Sequence, residues 1–375
     1  VALAKEIWGY AELSYEETKS AAALIAALKQ EGFTIEEGIA DIPTAFTATY
    51  QCGGGKPVVG FLAEYDALPE LSQVGGCTER KPVCGENPDG HGCGHNLLGA
   101  GTLAAALAVK AYLEENPGKG TVILFGCPSE EKGNGKTIMA RDGIFEGVDM
   151  SLIMHPSDLS MADDISFAAV NKVYTFKGKP AHTAACPWVG ASALNGVMQM
   201  FHAVDSQRLH FKDYTRVHGI VLEGGTAVNI VPERAVCKFN IRALDSEYLK
   251  EVIAVIDRCA QGAAMCAGVE VEISQDGYLI EDVRNDRRLV EAVEKNMDLI
   301  GEYHIPRDLT QGIGSTDVGN VTHAMPAAQF YIGVGEGLGT HTAPFAEASG
   351  GPAGKRALLA AVKVLAMTGL DMMAE

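Results

Sequence analysis

Between Gly90 and Asn96 the chain reads Gly-His-Gly-Cys-Gly-His-Asn, which sets a thiol, Cys93, and an imidazole, His95, two residues apart among glycines. Three later segments carry groups of similar chemistry: Glu130 and Glu131 in PSEEKGNGK, His155 in LIMHPS and His341 in GTHTAPF. Thiolate, imidazole and carboxylate are what zinc-type ions accept, and a catalytic site leaves a position for water. Cys93, His95, Glu131, His155 and His341 therefore form a candidate ligand set. In a regular strand the C-x-H spacing is too short for both side chains to serve one ion without strain, but glycines relax this in a loop. Two adjacent ions fit the set better than one. A pair about 4 Å apart can share a bridging hydroxide whose proton needs a nearby base, and Glu130, beside Glu131, is placed for that role.

The elements that must position these groups read as alternating strands and helices. Each of the three later segments follows a run that reads as a buried strand. The opening VALAKEIWGYAELSYEETKS has the period of an amphipathic helix, and residues 20–29 continue it. Strands are expected over 45–50, 58–63, 122–126 and 151–154, with the clearest helix over 97–114. That order predicts an α/β sheet covered on both faces, with the site at the carboxyl ends of its strands. Near Ala168 the pattern changes to strand 170–177, helix 190–207, strands 216–223 and 234–242, helix 246–267 and strand 269–274. This β-α-β-β-α-β order predicts a ferredoxin-like α+β unit. A helix over 287–301 and a buried strand over 327–334 then precede His341. The expected organisation is a discontinuous catalytic domain, 1–168 and 283–375, interrupted by an inserted domain, 169–282.

Composition narrows the function classes. A chain of 375 residues with 47% hydrophobic content predicts two cores rather than disorder. A formal charge of −18 repels nucleic acids and anionic membranes, so neither is an expected partner. No apolar run is expected to reach the roughly 20 residues that cross a bilayer, the longest candidate being 97–109. The amphipathic opening does not read as an export signal. Nine cysteines without regular spacing suit a reducing, cytoplasmic setting, with Cys127, Cys237, Cys259 and Cys266 expected as buried thiols.

Other readings of the same residues stand beside this one. Cys77, Cys84, Cys93 and His95 could form a structural zinc knuckle, which leaves Glu130 and His341 unexplained. Cys93 could be a nucleophile with His95 as its base. Glu130 and Glu131 could belong to an ordinary solvated loop, and His91 could be solvent-facing or lie behind a ligand. His202, His210, His218 and His304 read as surface residues without partners.

The chain resembles the dinuclear aminoacylase and carboxypeptidase metallohydrolases, in the branch with p-aminobenzoyl-glutamate hydrolase and the auxin-conjugate and N-acyl-amino-acid amidohydrolases. The matching motifs are FLAEYDALP (61–69), HGCGHNLLGAG (91–101), PSEEKGNGK (128–136), MHP (154–156), KPAHTAACPWVGASAL (179–194), GGTAVNIVPERAVCKFNIRA (224–243) and GTHTAPF (339–345). The resemblance implies a zinc-peptidase-like three-layer α/β/α catalytic domain with an inserted lid that also dimerises. It implies that Cys93, His95, Glu131, His155 and His341 bind two zinc or manganese ions, cobalt being a third option. Glu130 would be general base and later acid, and Asp66 would orient a ligand. His182 would reach into a partner's active site to hold the oxyanion, while Asn229 and Arg242 grip the substrate's carboxylate. Arg242 reads equally as an ion-pair partner for Asp245. The implied reaction is hydrolysis of an amide in an N-acyl amino acid, an aminobenzoyl-glutamate-like compound or a dipeptide by a metal-bridged hydroxide; a non-catalytic binding protein with a structural zinc is the alternative. Two positions depart from the wider family: Asn96 follows Cys-Gly-His where Asp is usual, and Glu64 precedes the DALP motif where other branches have a histidine ligand. Asn96 is expected to cap the following helix, and Cys93 to take over the missing ligand's duty.

Overall fold

The computed structural model describes residues 1–72, 88–133 and 135–374, so Cys77 and Cys84 lie outside the described residues. The chain divides into two compact units, Val1–Ile165 with Val283–Glu375, and Ser166–Asp282. The first unit begins with helices α1 (Ala2–Tyr10) and α2 (Thr18–Gln30) and strands β1 (Thr34–Glu37), β2 (Phe46–Gln51) and β3 (Val58–Ala63). Helix α3 (His95–Glu115), β4 (Thr121–Gly126), α4 (Gly135–Arg141) and β5 (Met150–Ser157) follow. The second unit holds β6 (Ala168–Lys177), α5 (Ala193–Gln207), β7 (Arg216–Glu223), β8 (Arg234–Ala243), α6 (Ser246–Ala267) and β9 (Glu270–Ile280). The first unit resumes with α7 (Arg287–Ile300), α8 (Val318–Ala324), β10 (Ala327–Gly333), α9 (Ala343–Gly350) and α10 (Pro352–Ala374).

In the first unit six strands form one sheet in the order β1-β2-β4-β3-β5-β10. The four from β4 to β10 are parallel, while β2 is antiparallel to both neighbours. Successive side chains of a strand point to opposite faces. Phe61, Leu124, Leu152 and Phe330 accordingly face a core shared with α2, α3, α7 and α10, and Leu62, Phe125, Ile153 and Ala327 a second core with α4 and α8. Burial on both faces is why these strands read as continuous apolar runs. The second unit is a four-stranded antiparallel sheet, β7-β8-β6-β9, whose core side chains Tyr174, Phe176, Phe239 and Ile241 pack with α5 and α6. The expected fold class, a three-layer α/β/α unit with a ferredoxin-like α+β unit, is the one observed.

Local expectations differ at several points. The opening segment is two helices, because Ala11 takes a left-handed conformation (φ 43°) and ends α1. Cys266 is exposed on the outer side of α6, beside the exposed Met265, rather than buried. His304 has a partner, with Nε2 3.1 Å from Asp298 Oδ1. Helices α3 and α10 are each long and apolar enough to cross a membrane by length and composition. Their alanine- and glycine-rich surfaces are instead largely buried in the core of the first unit.

Candidate metal centre

The connections after β3, β4 and β10, the end of β5 and the start of α3 bring seven of the sequence candidates together in the first unit. The turn into α3 explains how Cys93 and His95 converge. Gly94 is the residue that caps α3, at φ 76°, and a Cβ there would lie 2.9 Å from Pro156 Cβ. Gly99, one turn on, sits where a Cβ would meet the Glu64 carbonyl oxygen at 2.8 Å, so α3 closes onto the end of β3 only with glycine there. Gly94→Ala is expected to cost about 1–2 kcal/mol for the left-handed backbone, plus the overlap with Pro156. Thermal unfolding and metal content would both fall; a variant with unchanged melting temperature and metal content would contradict this account of the turn.

The ligand atoms of Cys93, His95 and His155 all lie within 4.8 Å of one another, and so do those of Cys93, Glu131 and His341. Cys93 is common to both groups. Its Sγ is 3.3 Å from His155 Nε2, and His341 Nε2 is 3.5 Å from Glu131 Oε2. Two atoms bound at about 2.1 Å to one zinc-type ion stand about 3.0–3.4 Å apart for right-angled to tetrahedral geometry. The pairs fall in or close to that range, and buried His95 Nε2 and Glu131 Oε1 have no hydrogen-bond partner among the described residues. The residues therefore fit a pair of divalent cations sharing one thiolate.

Hydrogen bonds behind these groups aim them. Asp66 Oδ1 is 3.0 Å from His95 Nδ1, which commits that nitrogen's proton to the carboxylate and leaves Nε2 facing the site. The other Asp66 oxygen accepts from Ser14 Oγ at 2.9 Å and from the Glu131 amide at 3.0 Å, so one carboxylate holds three segments. Burial would raise the Asp66 carboxyl, but the hydrogen bond and charge of His95, helped by Glu131 and Ser14, bring it down to about 2. His155 Nδ1 lies 2.7 Å from the Pro156 carbonyl, leaving Nε2 for the centre, and burial pushes this ring down to about 4. Buried Glu17 accepts from the Ser129 amide at 2.8 Å, fixing the left-handed residue (φ 61°) that precedes Glu130. Burial, reinforced by the Glu64 and Glu131 charges, raises the Glu130 carboxyl well above the usual range, which suits a group that carries a proton.

Some expectations fail here. Asn96 does not cap α3; it lies in the first turn, and its Nδ2 donates to Ala4 O at 3.3 Å and Ser349 O at 3.2 Å, tying α1 to α9. His91 is buried rather than solvent-facing, with Nε2 3.0 Å from Ile7 O. A charged cluster beneath the centre had no role in the sequence reading. Lys136 Nζ lies 2.7 Å from Glu64 Oε1 and 2.5 Å from Asp317 Oδ1, all three side chains fully buried. The only sequence signals were Glu64 as a departure from the family pattern and Lys136 at the end of PSEEKGNGK.

The remaining candidates are in the second unit. His182 Nδ1 accepts from the Ala184 and Ala185 amides at 3.2 Å, which puts the ring proton on Nε2. A bridge between His182 and Ile230 sets it beside Asn229, which is exposed. Arg242 is elsewhere: β6 and β8 pair Lys177 with Arg234 at the His182 end and Ala169 with Arg242 at the other. The eight residue-to-residue steps from 234 to 242, at about 3.3 Å each, span about 26 Å. Arg242 Nε donates to Asn240 Oδ1 at 2.8 Å, and Asp245 caps α6 by accepting from the Glu247 and Tyr248 amides.

Residues 60–367 match the model of peptidase family M20/M25/M40. The chain is 41% identical over 277 residues to one of the p-aminobenzoyl-glutamate hydrolase subunits of Escherichia coli (strain K12), a match covering 73% of this chain and 57% of that one, so it spans little more than half of that relative. It is 32% identical over 383 residues to the Xaa-Arg dipeptidase of Mus musculus, covering 99% of this chain and 85% of the relative. In fold it is similar to a dinuclear metal-binding peptidase of Bacillus subtilis, with a TM-score of 0.78 at 20% identity over 100% of this chain and 97% of that one.

Proposed function

The chain belongs to peptidase family M20/M25/M40, and from that premise we propose that it hydrolyses an amide bond in a small N-acyl amino acid, an aminobenzoyl-glutamate-like compound or a dipeptide, using two divalent cations. The observation that carries this reading is the pair of ligand groups sharing Cys93. Cations bound there supply Lewis-acid polarisation of the scissile carbonyl and make water more acidic. Glu130 takes the proton of the attacking water and delivers it to the leaving amine. Asp66 keeps His95 in register, and Glu17 keeps Glu130 in place through Ser129. His182 offers Nε2–H to the developing oxyanion, while Asn229 and Arg242 bind the substrate's carboxylate.

The distance between the two ends of the second unit's sheet supports sharing of these roles between protomers. One small substrate can use His182 with Asn229 and also Arg242 only if different copies supply them. Edge strand β7, with exposed Ile220, Val221 and Leu222, supports a homodimer formed through this unit. Thiolate and imidazole favour zinc and carboxylate favours manganese, with cobalt able to serve in the same set. All described cysteines are free, which supports a cytoplasmic setting.

The test is a hydrolysis screen of aminobenzoyl-glutamate, N-acyl amino acids and dipeptides including Xaa-Arg, with metal analysis on the same sample. Turnover should vanish on chelation and return with zinc, manganese or cobalt. A metal-loaded, folded protein that cleaves none of these would overturn the proposal.

A further inference from the structure

We propose that Arg216 is a specificity-determining residue which, together with Arg242, selects N-acyl amino acids that carry a second carboxylate, as glutamate does; this rests on the amide-hydrolysis reading above. Strands β7 and β8 pair in antiparallel register with Arg216 directly opposite Arg242. Directly opposite residues of such a pair project from the same face. It is the face turned away from α5 and α6, because the alternate residues Val217, Phe239 and Ile241 pack in the core with those helices. Two like charges directly opposite destabilise a sheet. A ligand with two negative charges offsets that repulsion.

The rest of this face shows what sets Arg216 apart. Lys177, Arg234 and Lys238 project from it too, and each is matched with a carboxylate, that of Glu272, Glu223 and Asp276 respectively. Arg216 forms no ion pair among the described residues. Its guanidinium carbon stands 5.9 Å from the ring centres of both Phe167 and Tyr214, and Nη1 donates to the Thr215 carbonyl at 3.2 Å. The charge is therefore held in place on an exposed residue. Arg242 gives its Nε to Asn240 Oδ1 at 2.8 Å, and Asn240 Nδ2 donates to Asn171 Oδ1 at 2.9 Å, which fixes the second guanidinium along the strand. A guanidinium held this way offers its remaining fork to one carboxylate, so a second carboxylate on the same substrate falls to Arg216. The chain carries a formal charge of −18, and a dianionic substrate binds where a local cluster of cations reverses that field. A cationic side chain meets repulsion there instead.

The experiment compares kcat/KM for aminobenzoyl-glutamate, its isosteric uncharged counterpart aminobenzoyl-glutamine, and aminobenzoyl-arginine. The proteins are wild type, Arg216→Gln and Arg216→Lys, with circular dichroism and metal analysis checking that each is folded and loaded. Wild type should favour the glutamate compound over the glutamine compound by about 10–100-fold, the range of a hydrogen bond to a charged group, and should cleave the arginine compound least. Arg216→Gln should raise KM for the glutamate compound far more than for the glutamine compound and bring the two to near parity, with kcat little changed. Arg216→Lys keeps the charge without the fork and should retain part of the preference. A purely structural role would lower all three substrates alike. That result, or a wild type that does not favour glutamate over glutamine, overturns the proposal. Folded, metal-loaded wild type that cleaves none of the three overturns the hydrolytic reading as well, a distinct outcome.

Discussion

Cys93→Ala is expected to lose both cations at once and to reduce hydrolysis to background. The thiol is the one ligand common to the two groups, with His95 and His155 on one side and Glu131 and His341 on the other. Removing it leaves two protein ligands at each position, below the three that catalytic zinc sites use. His155→Ala, by contrast, should leave one equivalent bound, because Cys93, Glu131 and His341 remain. Metal analysis after gel filtration gives the contrast directly. The thiol is buried and alanine is smaller, so stability should change far less than metal content. If Cys93→Ala retained two equivalents, the shared-thiolate arrangement would be wrong.

The second large effect is expected at Glu130. Glu130→Gln keeps size and shape but cannot accept and return a proton, and a general acid–base group contributes about 10²–10⁴-fold to rate. We expect kcat to fall by about that factor with metal content unchanged. Glu131→Gln should behave differently, losing the ion held with Cys93 and His341. The pair is therefore diagnostic: adjacent carboxylates of identical chemistry, one failing in turnover with metal present and the other in metal uptake. A near-normal rate for Glu130→Gln would remove the proton-carrying role, and metal loss in that variant would make it a ligand.

Much of both units was legible because their signals are local. Strand β3 and helix α6 begin and end where the apolar pattern places them, since burial on both faces of β3 and the Asp245 cap of α6 are written in adjacent residues. The break at Ala11 was not legible, because a left-handed alanine leaves no compositional mark. Asn96 is a related case. Its side chain is a good helix cap in isolation, but Gly94 takes that position and Asn96 bonds across to Ala4 and Ser349, 92 and 253 residues away.

By itself the sequence determined the chemistry on offer: a thiol and an imidazole set among glycines, and further imidazoles and carboxylates placed after strand-like runs. Tertiary structure alone decided which of them meet. That Cys93 belongs to both groups, that Asp66 serves three segments, and that Lys136 lies between Glu64 and Asp317 depends on how parallel strands stack side by side. Strand order is set by packing of whole faces, not by any short stretch of chain, so distances between strand ends cannot be read from spacing along the sequence.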